Sequence, residues 1–287
     1  MADVGGAQLE MPGMPRRLFP ATPSKLAAFG DCPRRYRHAY LDRPTPAKGP
    51  AWAHNSVGSA VHAALRSWWE LPLPGRTPAA ARQLLYGVWS TAGFRDTEQS
   101  ERWRARAAGW LTDYVTGLDP ADEPVGTERQ VAATTERLAL SGRVDRIDQR
   151  GDELVVVDYK TGRSVCTDDE ARGSPALAAY VLGVRRTLRR PCSRVELHHL
   201  PSGTVAAFEH TDRSLANHVR RAEDVAADIA AATAALDGGA DRDEAFPAAP
   251  GRQCGWCDFR PSCAPGRAAT ASRDTWSFLP EDPPAPT

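Results

Sequence analysis

The stretch that most constrains this chain is an acidic hairpin. It runs Gly142-Arg143-Val144-Asp145-Arg146-Ile147-Asp148, turns at Gly151-Asp152, and returns through Leu154-Val155-Val156-Val157-Asp158-Tyr159-Lys160-Thr161-Gly162. Both arms are short runs of Val, Ile and Leu, the composition of strands. Gly at the first central position of a two-residue turn supplies the positive φ that such a turn needs. A turn centred between residues 151 and 152 sets equidistant residues opposite each other, so Asp145 faces Asp158. Directly opposed side chains have Cβ atoms roughly 4.5–5.5 Å apart, where like charges are destabilising unless something neutralises them. Because strand side chains alternate, Lys160 shares the face of Asp158. The hairpin predicts two carboxylates and an ammonium on one surface.

That pattern suits a hard divalent cation. Mg²⁺ and Mn²⁺ prefer oxygen ligands, and two aspartates on neighbouring strands can hold one while leaving positions for water and a phosphate oxygen. Such an ion lowers the pKa of bound water and neutralises charge developing on phosphorus. Lys160 can then orient the water or stabilise a pentavalent transition state. A salt bridge from Lys160 to either aspartate is the plainer alternative, but it leaves two facing carboxylates unexplained. Of 36 basic residues only Lys25, Lys48 and Lys160 are lysines, so a lysine beside the acidic pair carries weight. The formal net charge is zero. This excludes a globally basic DNA coat and allows a basic groove balanced elsewhere.

The chain has 287 residues and 41% hydrophobic content, enough for a packed core. Residues 1–21 mix Gly, Pro and Met without periodicity and read as a disordered tail with no leader pattern. Thr22-Pro23 opens a short helix bearing Leu26 and Phe29. Asp31 is expected to cap a second one at Cys32-Pro33-Arg34-Arg35-Tyr36-Arg37. Arg34, Arg35 and Arg37 are either phosphate contacts or a solvated basic face. Over residues 55–70, Val57, Val61, Ala64, Leu65 and Trp68 fall at helical spacing, with His62 at the stripe's edge. By spacing alone His62 is more readily a boundary residue than a ligand. Two further helices are expected over 77–93 and 99–117.

From Val125 the pattern turns strand-like, and Glu128 there either faces solvent or reaches the acidic pair. Beyond the hairpin, Ser174-Pro175 starts a helix to 190 carrying Tyr180. Strands follow at 195–200 and 204–210, then a helix over 214–236. The order predicts an α/β fold, a mixed central sheet flanked by helices, after an N-terminal helical subdomain. No stretch approaches the ~18 apolar residues of a membrane span, so a soluble cytoplasmic protein is expected.

Cys254-Gly255-Trp256-Cys257 with Cys263 places three thiols within ten residues, and a tetrahedral centre needs a fourth. Cys166 and Cys192 are available. Cys32, beside arginines and followed by proline, has a context that recurs next to cluster ligands. The spacing fits Zn²⁺ or an iron-sulfur cluster.

Taken jointly, these motifs resemble a known family. The Gly142 to Asp148 segment, followed by Val157-Asp158-Tyr159-Lys160-Thr161-Gly162, resembles the RecB-like branch of the PD-(D/E)XK nuclease superfamily. Cys32-Pro33-Arg34-Arg35-Tyr36 and the cysteine triplet resemble its iron-sulfur version, as in the nuclease domain of AddB and certain CRISPR-associated exonucleases. The resemblance spans about residues 22–264 and implies a restriction-endonuclease-like core. Within it, 22–118 would form a mainly helical part, 125–237 the catalytic core and 250–264 the cluster segment, with 265–287 a tail.

It implies that Gly58-Ser59-Ala60-Val61-His62 supplies a metal-binding histidine. Asp145, Asp158 and the Tyr159 carbonyl would be further ligands, Lys160 the catalytic lysine, and Glu128 an accessory acid. It also implies a 4Fe-4S cluster on Cys32, Cys254, Cys257 and Cys263 rather than Zn²⁺, stapling the chain ends together. One departure stands out: the family's glutamine four residues before Tyr180 is Ala176 here, which removes an amide that would help to position DNA.

The implied function is a DNA exonuclease dependent on Mg²⁺ or Mn²⁺, acting on single strands or DNA ends in repair or recombination. The rival is a catalytically weak nuclease-like DNA-binding or scaffold module stabilised by the cluster. No phosphate-binding Gly-x4-Gly-Lys loop occurs, so a duplex substrate calls for a separate helicase. Tyr180, Arg34, Arg35 and Arg37 are the candidate DNA contacts, through phosphate charge and stacking.

Overall fold

A computed structural model describes residues 18–279. At its centre is a six-stranded mixed sheet of β1 (Phe19–Ala21), β2 (Gly126–Thr134), β3 (Leu138–Arg150), β4 (Glu153–Lys160), β5 (Cys192–His199) and β6 (Thr204–Glu209). The helices are α1 (Pro23–Asp31), α2 (Pro33–Tyr40), α3 (Ala53–Trp69), α4 (Pro78–Gly87), α5 (Thr97–Thr116), α6 (Asp168–Gly173), α7 (Pro175–Leu188), α8 (Asp212–Asp237), α9 (Arg242–Ala245) and α10 (Ala264–Ala269). None of the described helices is long and apolar enough to cross a membrane.

The hairpin forms with the expected register. Gln149 opposes Leu154, Arg146 opposes Val157, and Gly151 turns the chain at φ 60°. Strand alternation then divides the core. Val155, Val157 and Tyr159 of β4 pack beneath α3 and α5 with Leu65, Trp68 and Leu111. Leu154 and Val156 face α7 with Leu177 and Val181. β4 runs parallel to β5, a pairing that requires the α6–α7 crossover.

The long strand β3 creates the feature that matters for function. β2 pairs along one edge of it, from Ala139 to Ile147. On the other edge β1 pairs with Leu138 to Leu140 and β4 with Arg146 to Arg150. Among the described residues, no strand pairs with 141–145 on that second edge. The sheet is forked there.

Several elements differ from the sequence expectation. Phe19–Ala21 lies inside the expected tail yet forms β1, where Phe19 and Ala21 pack with Leu26, Leu138 and Leu140. Residues 1–17 lie outside the described residues, as do 280–287. The tail expected from 265 is also ordered as far as 279. Leu279 and Trp276 join the core under α3 and α5, and the Thr275 carbonyl accepts the Ala53 N–H at 3.0 Å. Asp31 does not cap α2. α1 runs on through it, it pairs with Arg35 at 2.8 Å, and Cys32 takes the cap position without a side-chain cap bond. α4 ends at Gly87 rather than 93. α6 was not expected, although Thr167 and Glu170 form a capping box.

Candidate active site

A cleft of about 1310 Å³ opens at the fork. Its walls are the start of α1, the polar face of α3, the free edge of β3, the end of β4, and Tyr180 of α7. Across the β2–β3 ladder Glu128 stands opposite Asp145, between the pairs Thr127 with Arg146 and Arg129 with Val144. Across β3–β4 the same row continues to Asp158. Three carboxylates thus occupy one row of three neighbouring strands, and at this row neither regular ladder pair forms.

The backbone distorts to achieve this. Glu128 has φ 46°. Val144 and Ile147, three residues apart, both pack on the α7 side, so alternation lapses at Asp145-Arg146. Asp145 consequently does not confront Asp158 as an ordinary cross-strand pair. Its carboxylate turns along the free edge, where Oδ2 accepts the Tyr159 N–H at 2.9 Å and lies 3.3 Å from His62 Nδ1. His62 Nε2 is 3.2 Å from the Tyr159 carbonyl. Ligand atoms of His62, Glu128 and Asp145 all lie within 4.8 Å of one another. Asp158 turns instead toward Lys160, whose Nζ is 2.5 Å from Oδ2. That oxygen is buried and lacks a well-aligned hydrogen bond. The contact is a short, buried ion pair.

The electrostatics of the site follow from this crowding. Burial favours the neutral form of Asp158. Lys160 opposes that and Asp145 reinforces it, and its pKa is raised. Burial and Asp145 also raise Glu128, against the pull of Arg143 and His62. Burial alone would lower His62, but its bond to Asp145 and the charges of Asp145, Asp158 and Glu128 prevail and raise it. Lys160 behaves alike: burial lowers its pKa, Asp158 outweighs burial, and the result is a raised pKa and a firmly held ammonium. Burial, with the three acids adding to it, pushes the Tyr180 hydroxyl up to about 12. The acids repel one another, and a cation among them relieves that repulsion. The convergent His62, Glu128 and Asp145 atoms fit a divalent ion.

His62, Glu128, Asp145, Lys160, Tyr159 and Tyr180 all line the cleft. Arg34, Arg35 and Arg37 do not. Arg34 pairs with Asp243 at 2.8 Å, and Arg35 with Asp31. Arg37 is buried, donating to Asp243 Oδ1 at 3.0 Å and to the Arg242 carbonyl. Arg34 and Arg37 tie α2 to α9 and Arg35 ties it to α1, and none lines the cleft. Sequence reasoning missed Asn55, Ser59 and Arg66, which also line the cleft. Their spacing with His62 forms a polar stripe opposite the apolar face of α3, and that was the available signal.

A second, smaller cavity gathers Cys32, Cys254, Cys257 and Cys263 beside Arg34, Arg35 and Arg260. A Cβ on Gly266 would stand 3.3 Å from Cys263 Sγ, a tight contact, and at an ordinary 3.6 Å from Cys254 Sγ. Cys32 Sγ accepts the Ala249 N–H at 3.4 Å. Cys192 is elsewhere, buried in the sheet core, and Cys166 lies near Lys160.

No curated protein matches the sequence. Among solved structures, one from Eubacterium rectale named "Putative exonuclease" is similar, with 11% identity, a TM-score of 0.47, and coverage of 76% of this chain and 81% of that one. The sequence profile of the PD-(D/E)XK nuclease superfamily matches residues 20–264, a span that contains the forked sheet, the acidic row and the four gathered cysteines. The chain belongs to the PD-(D/E)XK nuclease superfamily.

Proposed function

We propose that the protein is a metal-dependent DNA nuclease of the RecB-like branch, an exonuclease for single strands or DNA ends. The observation that carries this reading is the acidic row at an unpaired sheet edge, with His62 above it and Lys160 beside it. His62, Asp145, Asp158 and the Tyr159 carbonyl would hold Mg²⁺ or Mn²⁺, with Glu128 in reach. When bound, such an ion supplies Lewis acidity and a water of lowered pKa.

The chain's own residues supply the rest. The Lys160 ammonium, kept protonated by Asp158, places positive charge where a scissile phosphate must sit. The Tyr180 hydroxyl stays neutral and can donate to a phosphate oxygen. Asp145 fixes the Tyr159 main chain, which sets the direction of its carbonyl. Superfamily membership supports DNA as the substrate, and repair or recombination is the setting we infer. The absence of a nucleotide-binding loop from the sequence supports dependence on a separate helicase for duplex DNA.

We further propose that Cys32, Cys254, Cys257 and Cys263 hold a 4Fe-4S cluster with a structural role. Three nearby guanidinium groups would balance the thiolate charge.

The direct test is cleavage of end-labelled single- and double-stranded DNA with Mg²⁺ or Mn²⁺. Asp158→Ala and Lys160→Ala should each lose activity, by on the order of 10²–10³-fold for the lysine. Equal cleavage by wild type and both variants would overturn the mechanism.

A further inference from the structure

We propose that Arg146 is a positioning residue for the metal centre, its guanidinium fixing the height at which α3 holds His62 over Asp145. The inference rests on the proposed metal centre of His62, Asp145, Asp158 and the Tyr159 carbonyl. Arg146 is 3% exposed. Its Nη1 donates to the hydroxyls of Tyr114 at 3.1 Å and Tyr159 at 3.3 Å, and its Nη2 donates to Asp148 at 2.9 Å. The guanidinium carbon lies 5.4 Å from the Trp69 ring centre and 5.7 Å from that of Tyr159.

Trp69 and His62 are seven residues apart on α3, two turns along one face. The helix therefore rests on the sheet at two points, Tyr159 of β4 and Arg146 of β3. His62 meets the Tyr159 carbonyl and, edge to face, the Tyr159 ring at 5.8 Å. Trp69 meets Arg146. Tyr159 joins the two points, since its amide binds Asp145, its carbonyl meets His62 and its hydroxyl binds Arg146.

The wedge is itself braced. Tyr114 of α5 shares its hydroxyl with His198 Nδ1 at 2.8 Å, and His198 Nε2 bonds Glu196 at 2.9 Å. Arg150 and Arg194 clamp Glu196 in turn, at 2.5 and 2.7 Å. A lysine at position 146 keeps the charge but loses the planar fork that reaches both tyrosines and Asp148 at once.

The test is Mn²⁺ binding to metal-free protein, measured by calorimetry in a double-mutant cycle of Arg146→Lys and His62→Ala. Arg146→Lys should weaken Mn²⁺ binding about 10–100-fold, the range for residues that orient ligands. In the His62→Ala background it should add no further loss, because its effect passes through His62. Wild-type affinity in Arg146→Lys, or an equal loss in both backgrounds, overturns the proposal and leaves the metal centre standing. No Mn²⁺ binding by wild type overturns both. Should Arg146→Lys lose its far-ultraviolet circular dichroism, Tyr114→Phe removes the 3.1 Å partner and goes through the same cycle with the same outcomes.

Discussion

Glu128 sits at φ 46°, where an L-residue is held at a cost of roughly 1–2 kcal/mol relative to its ordinary conformations. The strain persists because the position delivers a carboxylate to Asp145 and His62. Glycine bears no such penalty. In urea unfolding, Glu128→Gly should therefore be more stable than Glu128→Gln by about 1 kcal/mol, while both bind Mn²⁺ more weakly than wild type. Equal stability of the two variants would show that no strain is stored there. A pH effect belongs to the same cluster. Asp158, Glu128 and His62 all have raised folded pKa values. Each contributes stability that is fully present below its unfolded value and lost as pH rises through the folded one. For His62 that window begins at its ordinary value of 6.5. In a chelator, wild-type stability should fall as pH rises above 6.5, and His62→Gln should flatten that slope. An unchanged slope in the variant would assign the loss to other groups.

At the scale of elements, packing between α7 and β3 depends on a missing side chain. A Cβ on Gly142 would lie 2.5 Å from Tyr180 Cε1. Gly142→Ala should thus destabilise the fold by about 1–3 kcal/mol, and in a Tyr180→Ala background most of that cost should vanish. An additive result would place the clash elsewhere. The hairpin itself was legible in the sequence because a glycine at the turn fixes register locally, and α3 because its apolar stripe is long. β1 was not, since three residues cannot show alternation. The turn-centred symmetry also misjudged Asp145. It assumes an unbroken ladder, whereas the last regular pair is Arg146 with Val157 and the carboxylate then takes the Tyr159 amide. The triplet of cysteines was local and readable. By spacing, Cys32 was one of three candidates for the fourth position, and only the fold brings it to the triplet. The basic run at 34–37 looked like a DNA contact because its partner Asp243 is about two hundred residues away.

At the scale of the whole molecule, both ends of the described chain return to the middle. β1 lies along β3, while Trp276 and Leu279 pad the core beneath α3 and α5. The cysteine cavity brings the start of α2 to the segment at 254–263, and the proposed cluster would close a loop that contains five of the six strands, β2 to β6. Closing a loop this long restricts the unfolded chain more than a short link does. Cys257→Ser should therefore abolish broad visible absorbance from anaerobically purified protein and lower the thermal midpoint by at least about 4 °C, a loss of roughly 2 kcal/mol in a domain of this size. A colourless wild type with stoichiometric zinc would assign the site to that ion instead. The fork in the sheet has a consequence of its own. From Ser141 to Asp145 one edge of β3 faces the cleft with no strand partner among the described residues, and such an edge is where an extended peptide adds itself as a strand. The space that would accept DNA is also the space a missing strand would fill. A peptide able to complete the sheet between β1 and β4 would therefore compete for the cleft by backbone pairing rather than by resembling a nucleotide.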